Sequence, residues 1–326
     1  MVAEGSLLVA LIKLVDRIPT PPPAPAKRGR PVVYPDRLFL KALVLMIVRH
    51  LSKVQTLLSV LDEPTPEMAA VRLLLTDQGC FPSRRTWERR LRGIPDALPA
   101  QIGCLGRHLV AVLVPWPDGG QAAAIDSTVL AAHGGVWHKQ HREAGVVPHS
   151  SIDTQAGWTK SGWHGWVYGW KLHLVTTVAA VWLPLAATLT PANRADNEEA
   201  PALVAALPEA VHFLLGDTAY NDPDLRTCCE QVGCELVPSR RGAYPHTDGG
   251  VEVRRIFHQL RSHAIENLNG QFKDIFDCQA HVPTRGLRAT RRYILGAVLV
   301  YQLSLLYRFE AGLDLRLGLK PFLKAV

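Results

Sequence analysis

Apolar residues recur at helical spacing in the first third of the chain, alternate with polar ones through the middle, and return to helical spacing near the end. The spacing predicts a helix that Asp36 caps, running through Leu38, Ala42, Leu45 and Met46, and a second beginning after Pro66. Pro82 and Ser83 open a third, Arg84 to Arg92, with Ser83 as N-cap. From Gln121 the pattern becomes that of strands. Ala122 to Asp126 is a short apolar run ending at an acid. Trp166 to Leu174 alternates, with Trp166, Tyr168, Trp170, Leu172 and Leu174 on one face and Lys171 and His173 on the other. Val181 to Leu189 is its antiparallel neighbour. There follow a helix from Asn197 to Leu207, a strand Val211 to Leu215, a helix from Asp224 to Val232 and a strand Cys234 to Pro238. After a polar loop, Arg240 to Gly250, long helices are expected over Arg254 to Asp277 and Leu287 to Phe309. The middle order is β-β-β-α-β-α-β, an α/β mixed sheet flanked by helices and preceded by a small all-helical region.

A length of 326 residues allows two domains at ~150 residues each. The divisions read as residues 1–31, an N-terminal segment with a basic proline-rich linker; 32–118, a small helical region; and 119–326, the mixed sheet with its C-terminal helices. The tract Thr20 to Ala26 lacks amide donors at its prolines and reads as an extended arm leading into Lys27, Arg28 and Arg30. With 48% hydrophobic and 20% charged residues the composition is that of an ordinary globular protein, not a disordered chain or a disulfide miniprotein.

Charge sharpens this. The net formal charge is +7, which by itself points only weakly to a polyanion. Its distribution says more: residues 1–120 hold 16 Lys/Arg and 10 Asp/Glu, residues 121–250 hold 8 and 13, and residues 251–326 hold 12 and 6. Basic ends around an acidic centre suit a protein that grips a polyanion and holds cations between the grips. The apolar run Leu174 to Thr190 is 17 residues, short of the ~20 a spanning helix needs, and contains Pro184. The N-terminus lacks the marks of a signal peptide. Six Cys without an export signal fit reduced thiols, so a cytoplasmic protein without membrane contact is expected.

Two acids stand where apolar strands end, Asp126 in AIDST and Asp217 in LLGDTAY. Strand ends are rigid and face open loops, the usual place for reacting side chains in an α/β sheet. A third acid, Glu266, lies mid-helix, with Lys273 two turns on and so on the same stripe. Three converging carboxylates repel unless cations intervene. Oxygen-only ligands suit two Mg²⁺ ions, or Mn²⁺ in their place, and such a pair can activate a water or a 3′-hydroxyl against a phosphodiester.

These residues resemble the DDE transposases of bacterial insertion sequences. The resemblance is carried by AIDST at 124–128, YGWKLH at 168–173, TPANRAD at 190–196, LGDTAY at 215–220, and Ile265-Glu266 with Lys273. It implies a ribonuclease H-like catalytic domain, with Asp126, Asp217 and Glu266 as the metal-binding and catalytic triad. It further implies metal-dependent cleavage and strand transfer at the ends of an insertion sequence. The partners implied are terminal inverted repeats and target DNA, bound by a homodimer when two ends are paired. Where the family often has Tyr and Arg seven and four residues before the Glu, this chain has Gln259 and Ser262, with Arg261 one residue off. Only 48 residues separate Asp217 from Glu266, so the large β-rich insertion of some members is absent.

DNA contacts are expected from Arg84, Arg85 and Arg89 on the third helix, from Lys273 and Arg261, and from Arg28 and Arg30 in the arm. Arg285, Arg288, Arg291 and Arg292, before the last helix, face either phosphates or solvent. Trp166 and Trp170 are expected in the core. Trp137, Trp158 and Trp163 fall in loops, where they could stack on flipped or terminal bases. The histidines 133, 138, 141 and 149 and the cysteines 228, 229 and 234 lack metal-ligand spacing. Two other readings stand beside the transposase: a non-catalytic DNA-binding descendant, suggested by the displaced Arg261, and a metal-dependent nuclease that cuts without joining.

Overall fold

A computed structural model describes residues 6–22, 33–116, 121–162, 165–178, 181–239 and 248–324. Arg28, Arg30, Trp163 and most of the loop 240–250 lie outside the described residues.

The N-terminal third is helical: α1 (Leu7–Leu14), α2 (Asp36–Val48), α3 (Val54–Leu61), α4 (Pro66–Leu74), α5 (Arg84–Gly93) and α6 (Leu98–Leu113). Ser6 caps α1 by accepting from the Val9 N–H at 3.3 Å, and Leu8, Leu11 and Ile12 are fully buried. The expected cap of α2 is displaced by one residue. Pro35 holds the cap position without a side-chain bond, and Asp36 begins the helix, where its carboxylate pairs with Arg90. Ser83 caps α5 as expected; Trp87 and Leu91 are buried while Arg84, Arg85 and Arg89 are exposed.

Six strands follow, β1 (Ala122–Ala131), β2 (Gly157–Ser161), β3 (Gly165–Thr177), β4 (Pro184–Pro191), β5 (Phe213–Gly216) and β6 (Glu235–Pro238). Helix α7 (Lys139–Glu143) lies between β1 and β2, α8 (Asp196–Val204) between β4 and β5, and α9 (Pro223–Gln231) between β5 and β6. The long helices α10 (Asp248–Ile275) and α11 (Leu287–Glu310) and a short α12 (Lys320–Leu323) complete the chain. The sheet runs β4-β3-β1-β5-β6, antiparallel across β3 and parallel from β1 to β6. This is the mixed sheet flanked by helices that the sequence pattern predicts, with one addition. β2 pairs with the first part of β3, on the edge away from β1 and end to end with β4, since Gly169 pairs with both Gly157 and Ala131.

One contiguous apolar core runs from α1 and α2 to the sheet. Helix α11 is its spine, buried from Tyr293 to Leu306 and in contact with α1, α2, α5, α6 and β4. Glycines permit the closest approaches. A Cβ at Gly296 would stand 3.1 Å from both Leu43 and Ile47 of α2, and one at Gly106 of α6 would stand 2.8 Å from the Leu185 carbonyl of β4. Gln302 ties the layers with polar bonds, its amide donating to Ile102 O at 2.9 Å and Pro184 O at 2.8 Å.

Among the described residues no helix is long and apolar enough to cross a membrane. All six cysteines are free thiols.

Candidate active site

Strand β1 does not stop at Asp126 as its apolar run predicts. It continues five residues further, pairing with β3 as far as Ala131. What stops near Asp126 is the parallel partner, because β5 pairs only with Ala122 to Ala124. Beyond that point the edge of β1 is open. The last registered pair there is Ala124 with Leu215, so Asp126 and Asp217 each stand two residues past it, level with one another where the strands part. Ser127 N–H donates to Asp126 Oδ1 at 2.8 Å. Asp217 leaves the strand in extended backbone and opens a single 3-10 turn, Thr218–Tyr220, accepting from the Ala219 N–H at 2.8 Å.

That turn folds Tyr220 back beneath Gly216, where a Cβ would meet the tyrosine at 2.8 Å. Tyr220 is buried and, among the described residues, its hydroxyl has no hydrogen-bond partner. Burial pushes its pKa well above the usual phenol value, reinforced by the charges of Asp126, Asp196 and Asp217.

Helix α10 crosses β1 on the Asp126 side. Arg261, almost fully buried, places Nη1 3.6 Å from Asp126 Oδ2. Burial pushes the Asp126 carboxyl up to about 6; Asp217 and Asp196 add to this, and the Ser127 N–H and Arg261 oppose it. Asp196 opens α8, where Lys171 Nζ reaches it at 3.0 Å and His173 Nδ1 lies at 3.5 Å. His173 Nε2 is 2.8 Å from Thr190 Oγ1. Burial pulls the His173 pKa down to about 4, and the carboxylate of Asp196 does not offset it. Lys171 and His173 therefore share a face of β3, as the alternation predicts, and that face meets α8.

Glu266 is not part of this cluster. Its side chain is exposed, and it lies five residues beyond Arg261, about 140° around the helix at 3.6 residues per turn. Ile265 and Leu268 hold that phase by burying themselves against the sheet. Lys273 shares Glu266's stripe and is half-buried, with desolvation lowering its pKa. Among the described residues no three His, Cys, Asp or Glu side chains converge closely enough to hold a metal ion. Asp126 and Asp217 do offer the oxygen-only donors that suit a hard divalent cation. With Asp196 close by, itself paired with Lys171, they also concentrate negative charge that Arg261 balances only in part.

A basic cleft of about 660 Å³ lies between the helical region and the start of α11. Lys53, Arg84, Arg92, Arg285, Arg288 and Arg292 line it, with Glu88 paired to Arg84 at 2.8 Å. The N-terminus of α11 is anchored here: Gly286 N–H donates to Asp153 Oδ2 and Leu287 N–H to Gln155 Oε1, both at 2.7 Å. Arg85 and Arg89 are exposed on α5 outside the cleft lining.

Two tryptophan expectations change. Trp170 is fully buried, but Trp166 is 68% exposed, because β3 overhangs the end of β1, whose pairing stops at Gly169. Trp158 lies in β2 rather than in a loop. Asp196 and Tyr220 stand in motifs that the sequence displays, yet single-residue reasoning does not select them as part of the site. The available signal is their position, Asp196 opening a helix after a strand and Tyr220 three residues beyond Asp217.

Residues 117–303, more than half of the chain, match the transposase DDE domain family, and the chain belongs to that family. No curated protein matches it. Among solved structures, a piggyBac transposase synaptic complex with hairpin DNA is 11% identical over 98% of this chain and 77% of that chain, with a TM-score of 0.45. A pre-cleavage Mos1 transpososome is 11% identical over 89% of this chain and 82% of that one, with a TM-score of 0.23. A Mos1 paired end complex with Mn has the same identity and coverage, with a TM-score of 0.24.

Proposed function

We propose that this chain is a transposase that cuts and joins DNA strands by divalent-metal-dependent phosphoryl transfer at the ends of an insertion sequence. The observation that carries the reading is the level placement of Asp126 and Asp217 at the opening between β1 and β5. Both carboxylates are held by local N–H donors, so their orientation is set before substrate arrives. Asp126 and Asp217 would hold Mg²⁺, with Mn²⁺ able to substitute, and a second ion would require Glu266 to join them. When bound, such ions polarise the phosphodiester and lower the pKa of an attacking water or 3′-hydroxyl. Arg261 supplies counter-charge to Asp126 and would contact a phosphate there.

DNA would lie along the basic cleft, whose Arg84, Arg288 and Arg292 contact phosphates, while Arg85, Arg89, Arg28, Arg30 and Lys273 extend the contacts. Terminal inverted repeats and target DNA are the partners, with a homodimer pairing two ends. The test is strand transfer of a pre-cut 3′-hydroxyl end into plasmid DNA in Mg²⁺. Joined product supports a transposase; cleavage without joining identifies a nuclease.

The exposed Glu266 and the contact of Arg261 with Asp126 favour a second reading, a non-catalytic DNA-binding descendant. That reading predicts salt-sensitive binding with no nicking in Mg²⁺ or Mn²⁺.

A further inference from the structure

A cavity of about 990 Å³ opens where the β2–β3 hairpin meets α7. Trp137, Trp158, Trp166 and Tyr168 give it aromatic walls. Two of these rings are fixed: Trp158 lies 5.2 Å from Tyr168 and donates its indole N–H to the Trp137 carbonyl at 2.8 Å. Trp166 leaves 68% of its surface in water, although an aromatic ring of this size is ordinarily driven to burial.

The polar groups of the cavity complement the rings. Arg142 sets its guanidinium 5.9 Å from the Trp137 ring centre. Lys139 adds a second cation, and Glu143 is paired to it at 3.5 Å. On the opposite wall a Cβ at Gly157 would stand 2.2 Å from Asn193 Oδ1, so the amide is seated against bare backbone. Aromatic faces for stacking, cations for a phosphate and an amide for a base edge are the groups that recognise an unstacked nucleotide.

The cavity lies in line with the carboxylates. Trp166, Tyr168 and Leu174 alternate onto one face of β3, and Leu174 pairs in register with Asp126. The six residue steps from Tyr168 to Leu174 span about 20 Å at ~3.3 Å each, the length of roughly six stacked nucleotides at ~3.4 Å per strand residue.

We infer that this cavity receives an unstacked base of the DNA strand whose scissile phosphate approaches the Asp126–Asp217 site, about six nucleotides from that phosphate. The inference rests on the proposed function. Its test compares a fluorescently labelled single strand of twelve thymidines with an abasic strand of equal length, by anisotropy, on the full chain without metal. Equal phosphate charge on the two probes isolates the bases.

The thymidine strand should bind at least about fivefold more tightly, the lower end of what one stacked base contributes. Trp166→Ala should abolish that preference, and Trp166→Phe, which keeps a ring, should retain it. Equal binding of the two probes by the wild type, or an undiminished preference in Trp166→Ala, overturns the inference. Mg²⁺-dependent cleavage of duplex DNA measured on the same preparations separates the two readings. Cleavage without a base preference removes the cavity's role alone, whereas absence of cleavage removes the proposed function.

Discussion

Arg261 Nη1 lies 3.6 Å from Asp126 Oδ2, so helix α10 supplies the counter-charge for a carboxylate on strand β1. The consequence is a pH-dependent cost for removing that guanidinium. Asp126 titrates near 6 in the folded protein against an ordinary 3.8. The folded state therefore holds the proton more tightly, and the site's contribution to stability falls as pH rises from about 4 through 6. Arg261→Gln should lower metal-free stability by about 1–3 kcal/mol at pH 7.5 and by distinctly less at pH 5, where Asp126 carries a proton. Thermal unfolding at the two pH values checks this; an equal loss at both contradicts it.

His173 behaves in the opposite sense. Its pKa is pulled from 6.5 to about 4 by burial, so the unfolded chain binds the proton first. Its share of stability is complete above pH 6.5 and is lost as pH falls towards 4, up to about 3 kcal/mol. His173→Gln should flatten the stability profile over that interval in denaturant titrations. An unchanged slope would mean that Asp196 holds the imidazole protonated in the folded state.

Gly169 of β3 pairs with the last residue of β1, Ala131, and the first of β2, Gly157. A Cβ there would stand 2.0 Å from the Leu130 carbonyl and 2.9 Å from the Ala131 Cα, both backbone atoms that cannot step aside. Gly169→Ala should cost about 2–4 kcal/mol in chemical unfolding. A cost under about 0.5 kcal/mol would show that the strands tolerate separation.

The basic cleft predicts a salt signature. If Arg288 and Arg292 each contact a phosphate, replacing both by Ala should reduce the slope of log affinity against log salt by about 2. Binding should weaken across all duplex sequences alike. Loss of affinity for one sequence only would instead mean that these side chains read bases.

Much of the sheet is legible in the sequence because alternation is local. Trp170, Leu172 and Leu174 display one face of β3 in the order of the chain, and Lys171 and His173 the other. Helix α6 is less visible: Gly103 and Gly106 weaken its helical signal, and they are tolerated because they face Ala206 and the β4 backbone. Strand β2 has no apolar pattern of its own and takes its form from pairing with β3. Asp217, at the end of β5, can be read from the sequence; Asp126 reads as a strand end but lies inside β1, where only the parallel partner stops. The apolar stripe of α10, Ile265, Leu268 and Phe272, is legible by its spacing and is buried, but which neighbouring side chain reaches Asp126 is set only by how the helix docks. That docking brings in Arg261 and leaves Glu266 exposed.

The most direct measurement is Mg²⁺-dependent cleavage of duplex DNA carrying the element's own ends, by wild type, Asp126→Asn and Asp217→Asn. These isosteric changes remove the charges and keep the shapes. The account predicts cleavage by the wild type, loss of at least about 10³-fold in each variant, and DNA affinity within about threefold of wild type. Cleavage that persists in either variant would contradict the claim that this carboxylate pair is the cutting centre.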